Sequence, residues 1–193
     1  MGIEFELKYK ATESVLDAIR RSFSGAEQVI SMETTYYDTP TGALSQRFYT
    51  LRRRLENNRS VCTLKAPVSG PGRGEWDCIC DRIESAIPEL CKLGGPADLM
   101  TLTAEGILPV CGARFCRIAK TLCLPDVTVE LALDSGILYG GGKAVPLCEV
   151  EVELKEGTPE ACTAFAQHLA AEFHLTPERH SKFRRALALY QGA

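Results

Sequence analysis

The chain has 193 residues, 45% of them hydrophobic and 24% charged, with 22 Lys and Arg against 25 Asp and Glu. That length and apolar content suit one globular domain with a sizeable core, so a single domain over residues 1–193 is expected. A formal net charge of −3 excludes an overall basic field of the kind that gathers nucleic acid or anionic membrane, so any anion site must be local.

No apolar run approaches the roughly 20 residues of a membrane-crossing helix. Nine cysteines, an odd number without a paired C-x-x-C framework, and a charged N-terminal start fit a reducing compartment, so a cytoplasmic location is expected.

Residues 3–10 alternate, with Ile3, Phe5, Leu7 and Tyr9 on one face and Glu4, Glu6, Lys8 and Lys10 on the other, which is the period of a strand. Thr12 is placed to cap a helix running to about Phe23, because Val15, Leu16, Ile19 and Phe23 recur at helical spacing. A strand from near Val29 ends at the turn cluster Asp38-Thr39-Pro40-Thr41-Gly42. After a polar linker, residues 48–56 alternate again, Leu51, Arg53 and Leu55 opposing Arg52 and Arg54. Asn57-Asn58 reads as a hairpin turn into residues 60–67, which carry Val61, Thr63 and Lys65 on one side.

A flexible turn over residues 69–74 precedes a short strand over 74–81 with Glu75, Asp77 and Ile79 on a common side. Pro88, Gly94, Gly95 and Pro96 punctuate a mainly helical middle, with Pro96 as a candidate helix start. Three further strands are expected over 113–122, 126–134 and 144–156, separated by Leu124-Pro125-Asp126 and by Gly140-Gly141-Gly142. Thr158-Pro159 and Thr176-Pro177 each offer Pro as a first helical residue and predict two closing helices, the second ending near Tyr190. The whole is expected to be α+β: a closed antiparallel eight-stranded β-barrel with flanking helices and a C-terminal helix, closure removing exposed edges.

Charge falls on one face of strand after strand. Glu4, Glu6 and Lys8 form one row, and Glu149, Glu151, Glu153 and Lys155 form another. A single such row is usually a solvated strand face, but two matched rows of oxygen donors are what hard divalent cations prefer. Arg52, Arg54 and Lys65 could clasp phosphate oxygens; the competing reading is a charged sheet exterior with cross-strand pairs. If Leu51 and Leu55 pack outward beneath helices, the charged face must point inward, where it is costly unless paired, and a charged interior then calls for a charged ligand.

These residues, taken in order, resemble a known family. Glu4-x-Glu6-x-Lys8, Tyr-Tyr-Asp-Thr-Pro at 36–40, Arg52 and Arg54, Lys65, Arg117, Glu130 with Asp134, Glu149-x-Glu151-x-Glu153, and Ser181-Lys182 with Arg185 are similar to the CYTH superfamily of triphosphate tunnel metalloenzymes, most of all to its bacterial inorganic triphosphatases. The resemblance implies a barrel enclosing a triphosphate tunnel, in which Lys8, Arg52, Arg54, Lys65, Arg117, Lys182 and Arg185 bind substrate. It implies that Glu4, Glu6, Glu130, Asp134, Glu149, Glu151 and Glu153 hold or support Mg2+ or Mn2+, that Glu4, Glu6, Lys8 and Lys65 act in the chemical step, and that Glu75, Asp77 and Arg114 are secondary members.

The activity so implied is metal-dependent hydrolysis of inorganic triphosphate to pyrophosphate and phosphate. The same architecture serves thiamine, nucleoside and RNA 5′-triphosphate hydrolysis and the class IV adenylate cyclase reaction, and a polyphosphate-binding module without turnover would need the basic wall but not the acidic rows. The expected partner is a small-molecule triphosphate, with no nucleic acid and no membrane, and a homodimer as the candidate assembly. The end at Ala193 is expected to leave no room for the histidine-rich helical domain that some bacterial relatives append.

Other features carry blander readings. Cys78, Cys80, Cys111 and Cys116 lack zinc-ribbon spacing and are expected to be inert thiols. His168, His174 and His180 read as surface histidines. Gly140-Gly141-Gly142-Lys143 lacks the spacing of a phosphate loop and reads as a hairpin turn. Residues 181–190 read as an amphipathic helix, which the resemblance makes a tunnel plug.

Overall fold

The computed structural model describes residues 2–69 and 73–192, with side chains from residue 5 onward. In chain order the elements are β1 (Gly2–Glu4), β2 (Glu6–Lys10), α1 (Glu13–Ser22), β3 (Gln28–Asp38), α2 (Ala43–Gln46), β4 (Thr50–Glu56), β5 (Arg59–Pro67) and β6 (Arg73–Ile79). There follow α3 (Ile83–Lys92), α4 (Leu99–Leu102), β7 (Leu108–Cys123), β8 (Val127–Gly140), β9 (Lys143–Gly157), α5 (Pro159–Glu172), β10 (Thr176–Pro177) and α6 (Lys182–Tyr190). No helix among the described residues is long and apolar enough to cross a membrane.

The strands form one antiparallel sheet in the order β1-β6-β5-β4-β3-β7-β8-β9-β2-β10. This corrects the expected eight-stranded barrel closed by hydrogen bonds. Ten paired segments are present among the described residues, or nine when β1 and β2 count as one strand, and the ladder order is linear. The N-terminal strand divides at Phe5: residues 2–4 pair with β6, whereas residues 6–10 pair with β9. The two margins of the sheet therefore meet through one covalent segment rather than through a shared ladder. At the break, the Phe5 carbonyl accepts the Leu154 N–H at 2.9 Å.

Alternation sends the apolar side chains outward beneath the helices. Tyr9, Leu131, Leu133, Val150 and Val152 form one cluster with Leu16 and Ile19 of α1 and Cys162, Ala166 and Leu169 of α5. Leu51, Leu64 and Trp76 form a second with Ile83, Ile87 and Leu90 of α3 and Leu99 of α4. A third lies on the opposite, inner face and joins Met32, Tyr36, Phe115, Leu138 and Leu147 to Phe183 and Ala186 of α6. Burial of such side chains is the main favourable term in the fold.

Caps explain where the helices begin. Thr12 Oγ1 accepts the Val15 N–H at 3.4 Å, as its position predicted. Asp38 turns the end of β3 into α2, an element hidden within the polar linker: Oδ1 accepts the Thr39 and Leu44 N–H groups at 2.8 and 2.9 Å, and Oδ2 that of Ser45 at 3.1 Å. Phe48, with φ of 60°, stands outside the following strand, which starts at Thr50. Pro96 does not open a helix; its carbonyl accepts the Leu99 N–H, and α4 starts there.

The helix expected from Thr176-Pro177 is likewise corrected. Those residues pair with Lys10 and Tyr9 as β10, and α6 waits for Ser181, whose Oγ accepts the Arg184 N–H at 3.2 Å. The Pro reading fails here because residue 176 already pairs with the edge of β2. At Thr158-Pro159 the same signature does open α5.

Gly136 of β8 lies against β7 so closely that a Cβ would meet the Arg114 carbonyl oxygen at 2.2 Å and the Phe115 Cα at 2.5 Å. Backbone cannot swing aside as a flexible side chain would. Gly136→Ala is expected to destabilise the protein by about 1–3 kcal/mol, read as a lowered midpoint in urea unfolding with an unchanged slope.

Candidate active site

The inner face of the sheet encloses a cavity of about 140 Å3. One side is cationic: Lys8 of β2, Arg52 and Arg54 of β4, Lys65 of β5, Arg73 of β6 and Arg117 of β7 all reach it. Glu6 of β2 and Glu151 and Glu153 of β9 reach it too, and Ser181, Lys182 and Phe183 enter at the start of α6. The alternation predicted this arrangement, since Arg52 and Arg54 point inward while Leu51 lies fully buried against α3 on the outside.

Most of the expected site residues come together here. Asp134 and Glu149, both fully buried, lie behind the cavity wall beside Glu151. Arg185 does not line the cavity; its guanidinium binds Glu149 and pairs with Glu178 at 3.4 Å. Glu130 stands apart, paired with Lys155 at 3.8 Å, and Lys155 holds Glu153 at 2.9 Å. The Glu4 side chain lies outside the described residues, although its backbone pairs with Arg73.

Glu75 faces Arg52 and Lys65, each at 3.4 Å, and Asp77 accepts the Thr63 hydroxyl at 2.5 Å. Arg114 points away from the cavity, paired with exposed Glu33 at 3.1 Å. The nine cysteines are free thiols; burial pushes the Cys62 and Cys111 thiols up to about 12 and raises that of Cys78, whereas Cys116 is exposed.

Three lining residues had no role in the sequence pattern. Thr50 sits at the strand start, and Arg73 belongs to a Gly-Pro turn region with no alternation to orient it. Its guanidinium donates to the carbonyls of Phe48 at 2.5 Å and Lys65 at 3.0 Å. Tyr36, from the Tyr-Tyr-Asp-Thr-Pro run, packs on Phe183 with ring centroids 5.1 Å apart. Glu178, outside the cavity wall, was also missed, because its only signal was an acid after a presumed helix-opening proline.

The acidic cluster is held by cations. The Lys182 ammonium donates to Glu151 at 2.6 Å and to Glu149, and pairs with Asp134 at 2.8 Å. Arg117 binds Asp134 with two parallel bonds of 2.8 and 2.7 Å and also reaches Glu151. Burial alone would raise Glu151, but Lys182 and Arg117 outweigh it and hold this carboxyl well below the usual range. Burial pushes Glu149 up to about 7 against the pull of Lys182 and Arg185. Burial also lowers Arg54 to about 10, with Arg52 and Arg117 adding like-charge repulsion.

Asp134, Glu149 and Glu151 each offer a carboxylate oxygen within 4.8 Å of the others. Oxygen donors so gathered have the chemistry a hard divalent ion takes, so the donor set fits Mg2+ or Mn2+ in kind.

Glu149 also gives stability a pH slope. Its folded value of about 7 lies above the 4.5 of an unperturbed glutamate, so between those values the folded state keeps a proton that the unfolded chain has lost. Stability therefore falls as pH rises through this window, by up to about 1.4 kcal/mol per pH unit. Urea unfolding with chelator at pH 5, 6 and 7 is expected to show that decline in the wild type and a flatter profile in Glu149→Gln.

Comparison with known proteins agrees with this picture. The chain is similar to an inorganic triphosphatase of Haemophilus influenzae, 28% identical over 166 residues. The match covers 84% of this chain and 47% of that protein, so the chain spans about half the length of this relative. Among solved structures it shares its fold with HpAC1 from Hippeastrum, described as having a dominant triphosphatase activity, at TM-score 0.65 and 19% identity over 98% of this chain and 96% of the other. It also shares it with the PH1819 protein of Pyrococcus horikoshii OT3, at TM-score 0.63 and 20% identity over 95% and 98%. The CYTH domain profile matches residues 2–187, nearly the whole chain, and the chain belongs to the CYTH domain family.

Proposed function

We propose that the chain hydrolyses inorganic triphosphate to pyrophosphate and phosphate with the help of a divalent metal ion, acting in the cytoplasm on a free small-molecule substrate. The observation that carries this reading is the concentration of cations around so small a space: Lys8, Arg52, Arg54, Lys65, Arg117 and Lys182 all border a cavity of about 140 Å3. That volume is well below the roughly 300–1,000 Å3 of clefts for drug-sized organic ligands. A compact polyanion with oxygen on every side suits it. The similarity to an inorganic triphosphatase points the same way.

Phosphoryl transfer asks chiefly for positioning and charge neutralisation. Arg52, Arg54 and Lys65 lie on paired strands and present fixed donors to successive phosphate oxygens, and Glu75 between Arg52 and Lys65 keeps both aimed inward. Lys8, anchored to Glu6 at 3.0 Å, borders the same cavity and is kept charged despite burial chiefly by that carboxylate. Glu6, with Glu4 beside it in sequence, is assigned to orient the attacking water, and Lys8 and Lys65 to stabilise charge on the reacting phosphoryl group. Asp134, Glu149 and Glu151 would hold the Mg2+ or Mn2+ ion, with Glu6 and Glu153 completing its shell. Such an ion, when bound, neutralises phosphoryl oxygens and acidifies a coordinated water.

A second cavity of about 610 Å3 favours one further reading. It shares Lys8, Thr50, Arg73, Ser181 and Phe183 with the first and adds Tyr49, Leu187 and Ala188. An organic group esterified to a triphosphate would fit there, as in thiamine or nucleoside triphosphates.

Phosphate release from inorganic triphosphate, thiamine triphosphate and ATP, each with Mg2+, Mn2+ or chelator and with cyclic AMP assayed in parallel, decides among these. Preferential, chelator-sensitive cleavage of inorganic triphosphate is expected. Preference for an organic ester moves the assignment to the second reading, dominant cyclic AMP to a cyclase, and silence on all three to a binding module. Arg52→Ala is expected to lower kcat/KM for triphosphate by about 10- to 100-fold, mainly through KM, with an unchanged circular dichroism spectrum.

A further inference from the structure

The Lys182 ammonium is ion-paired with three carboxylates, Asp134 at 2.8 Å, Glu151 at 2.6 Å and Glu149, and donates hydrogen bonds to the last two. The oxygens concerned belong to the acidic cluster whose members lie within 4.8 Å of one another. An ammonium among them stands where a metal cation would stand. Resting on the metal-dependent reading above, we propose that Lys182 is an exchangeable internal counter-cation, which must leave these carboxylates before a divalent ion can enter, and that Glu178 is the positioning residue that fastens it there.

Charge and anchoring both single out Lys182 as the group that moves. Lys182, Arg117 and Arg185, the last shared with Glu178, already neutralise Asp134, Glu149 and Glu151, so a divalent ion arriving without a departure would leave an excess of positive charge in a buried site. Arg117 is fixed by the β7 ladder and its paired bonds to Asp134. Lys182, by contrast, is the first residue of α6, outside any ladder, and already borders the cavity. Leaving the carboxylates, its ammonium stays within the space assigned to the polyanion and gains phosphate oxygens in exchange. Metal and triphosphate would then load in concert.

Its starting position depends on the strap ahead of α6. The Glu178 N–H donates to the Lys8 carbonyl at 2.8 Å, tying the strap to β2. The buried Glu178 carboxylate accepts the His180 N–H at 2.8 Å and pairs with Arg185 at 3.4 Å and Lys10 at 3.6 Å. One side chain thus joins β2, the strap and α6 without touching the cavity wall.

The test is Mn2+ binding to chelator-stripped protein, followed by calorimetry at fixed pH with no triphosphate, so that turnover plays no part. Lys182→Gln is expected to bind Mn2+ at least about tenfold more tightly than wild type, since the competing charge is gone, and to gain a larger rise in Tm on adding Mn2+. Should Lys182→Gln not fold without metal, Glu178→Gln carries the test, with a few-fold tightening expected because the ammonium is present but unfastened. Wild type that binds Mn2+, with a folded variant that binds it equally or less tightly, overturns the exchange and leaves the metal-dependent reading standing. Wild type and variants that all fail to bind Mn2+ at millimolar concentration overturn both.

Discussion

The contact on which the rest of the structure depends is the grip of the Lys182 ammonium on Asp134, Glu149 and Glu151. Carboxylates this deeply buried cannot stay ionised and unpaired, and breaking a buried pair by removing one partner costs about 3–5 kcal/mol. The three acids sit on β8 and β9, the cation on α6, so satisfying them forces the last helix onto the inner face of the sheet. Phe183 and Ala186 then complete a core cluster with Met32, Tyr36, Phe115 and Leu138. An electrostatic requirement and a hydrophobic one are met by the same helix.

Phe115 shows how closely the two are joined. Its ring lies 5.9 Å from the Arg54 guanidinium, 5.8 Å from that of Arg117 and 5.3 Å from the Lys182 ammonium. An aromatic face is one of the few apolar surfaces that favours a neighbouring cation. Packed between three of them, it spaces the charges without inserting a water-filled gap, and the bare backbone of Gly136 leaves room for it. Arg54, furthest from any carboxylate in this group, bears the cost as a lowered pKa and takes a hydrogen bond partner in Thr34 at 3.0 Å.

The protein thereby concentrates positive charge where its net charge is negative. Whole-chain electrostatics would not draw in a polyanion, but a low-dielectric interior strengthens each fixed cation that faces the cavity. Carboxylates keep this buried charge tolerable by pairing with the cations, Glu6 with Lys8, Glu75 with Arg52 and Lys65, and Asp134 and Glu151 with Arg117.

Alternation in the sequence determined which face of each strand is apolar, and the family resemblance, not alternation alone, assigned Arg52, Arg54, Lys65, Lys8 and Glu151 to one interior. Local caps were equally legible at Thr12 and Thr158, because a cap needs only a side-chain oxygen and the next few backbone N–H groups. What local signals could not carry was anything that depends on distant strands. The N-terminal strand breaks at Phe5 because its two halves answer to β6 and β9, which are far apart in sequence. Thr176-Pro177 forms β10 because β2 offers an edge there, a fact absent from the residues themselves. Glu130 shares the Glu-x-x-x-Asp run with Asp134, yet only the tertiary structure separates them, giving Glu130 to Lys155 and Asp134 to Lys182. Sequence period determines the face on which a side chain lies; only the folding of distant segments against that face decides which opposite charge it meets.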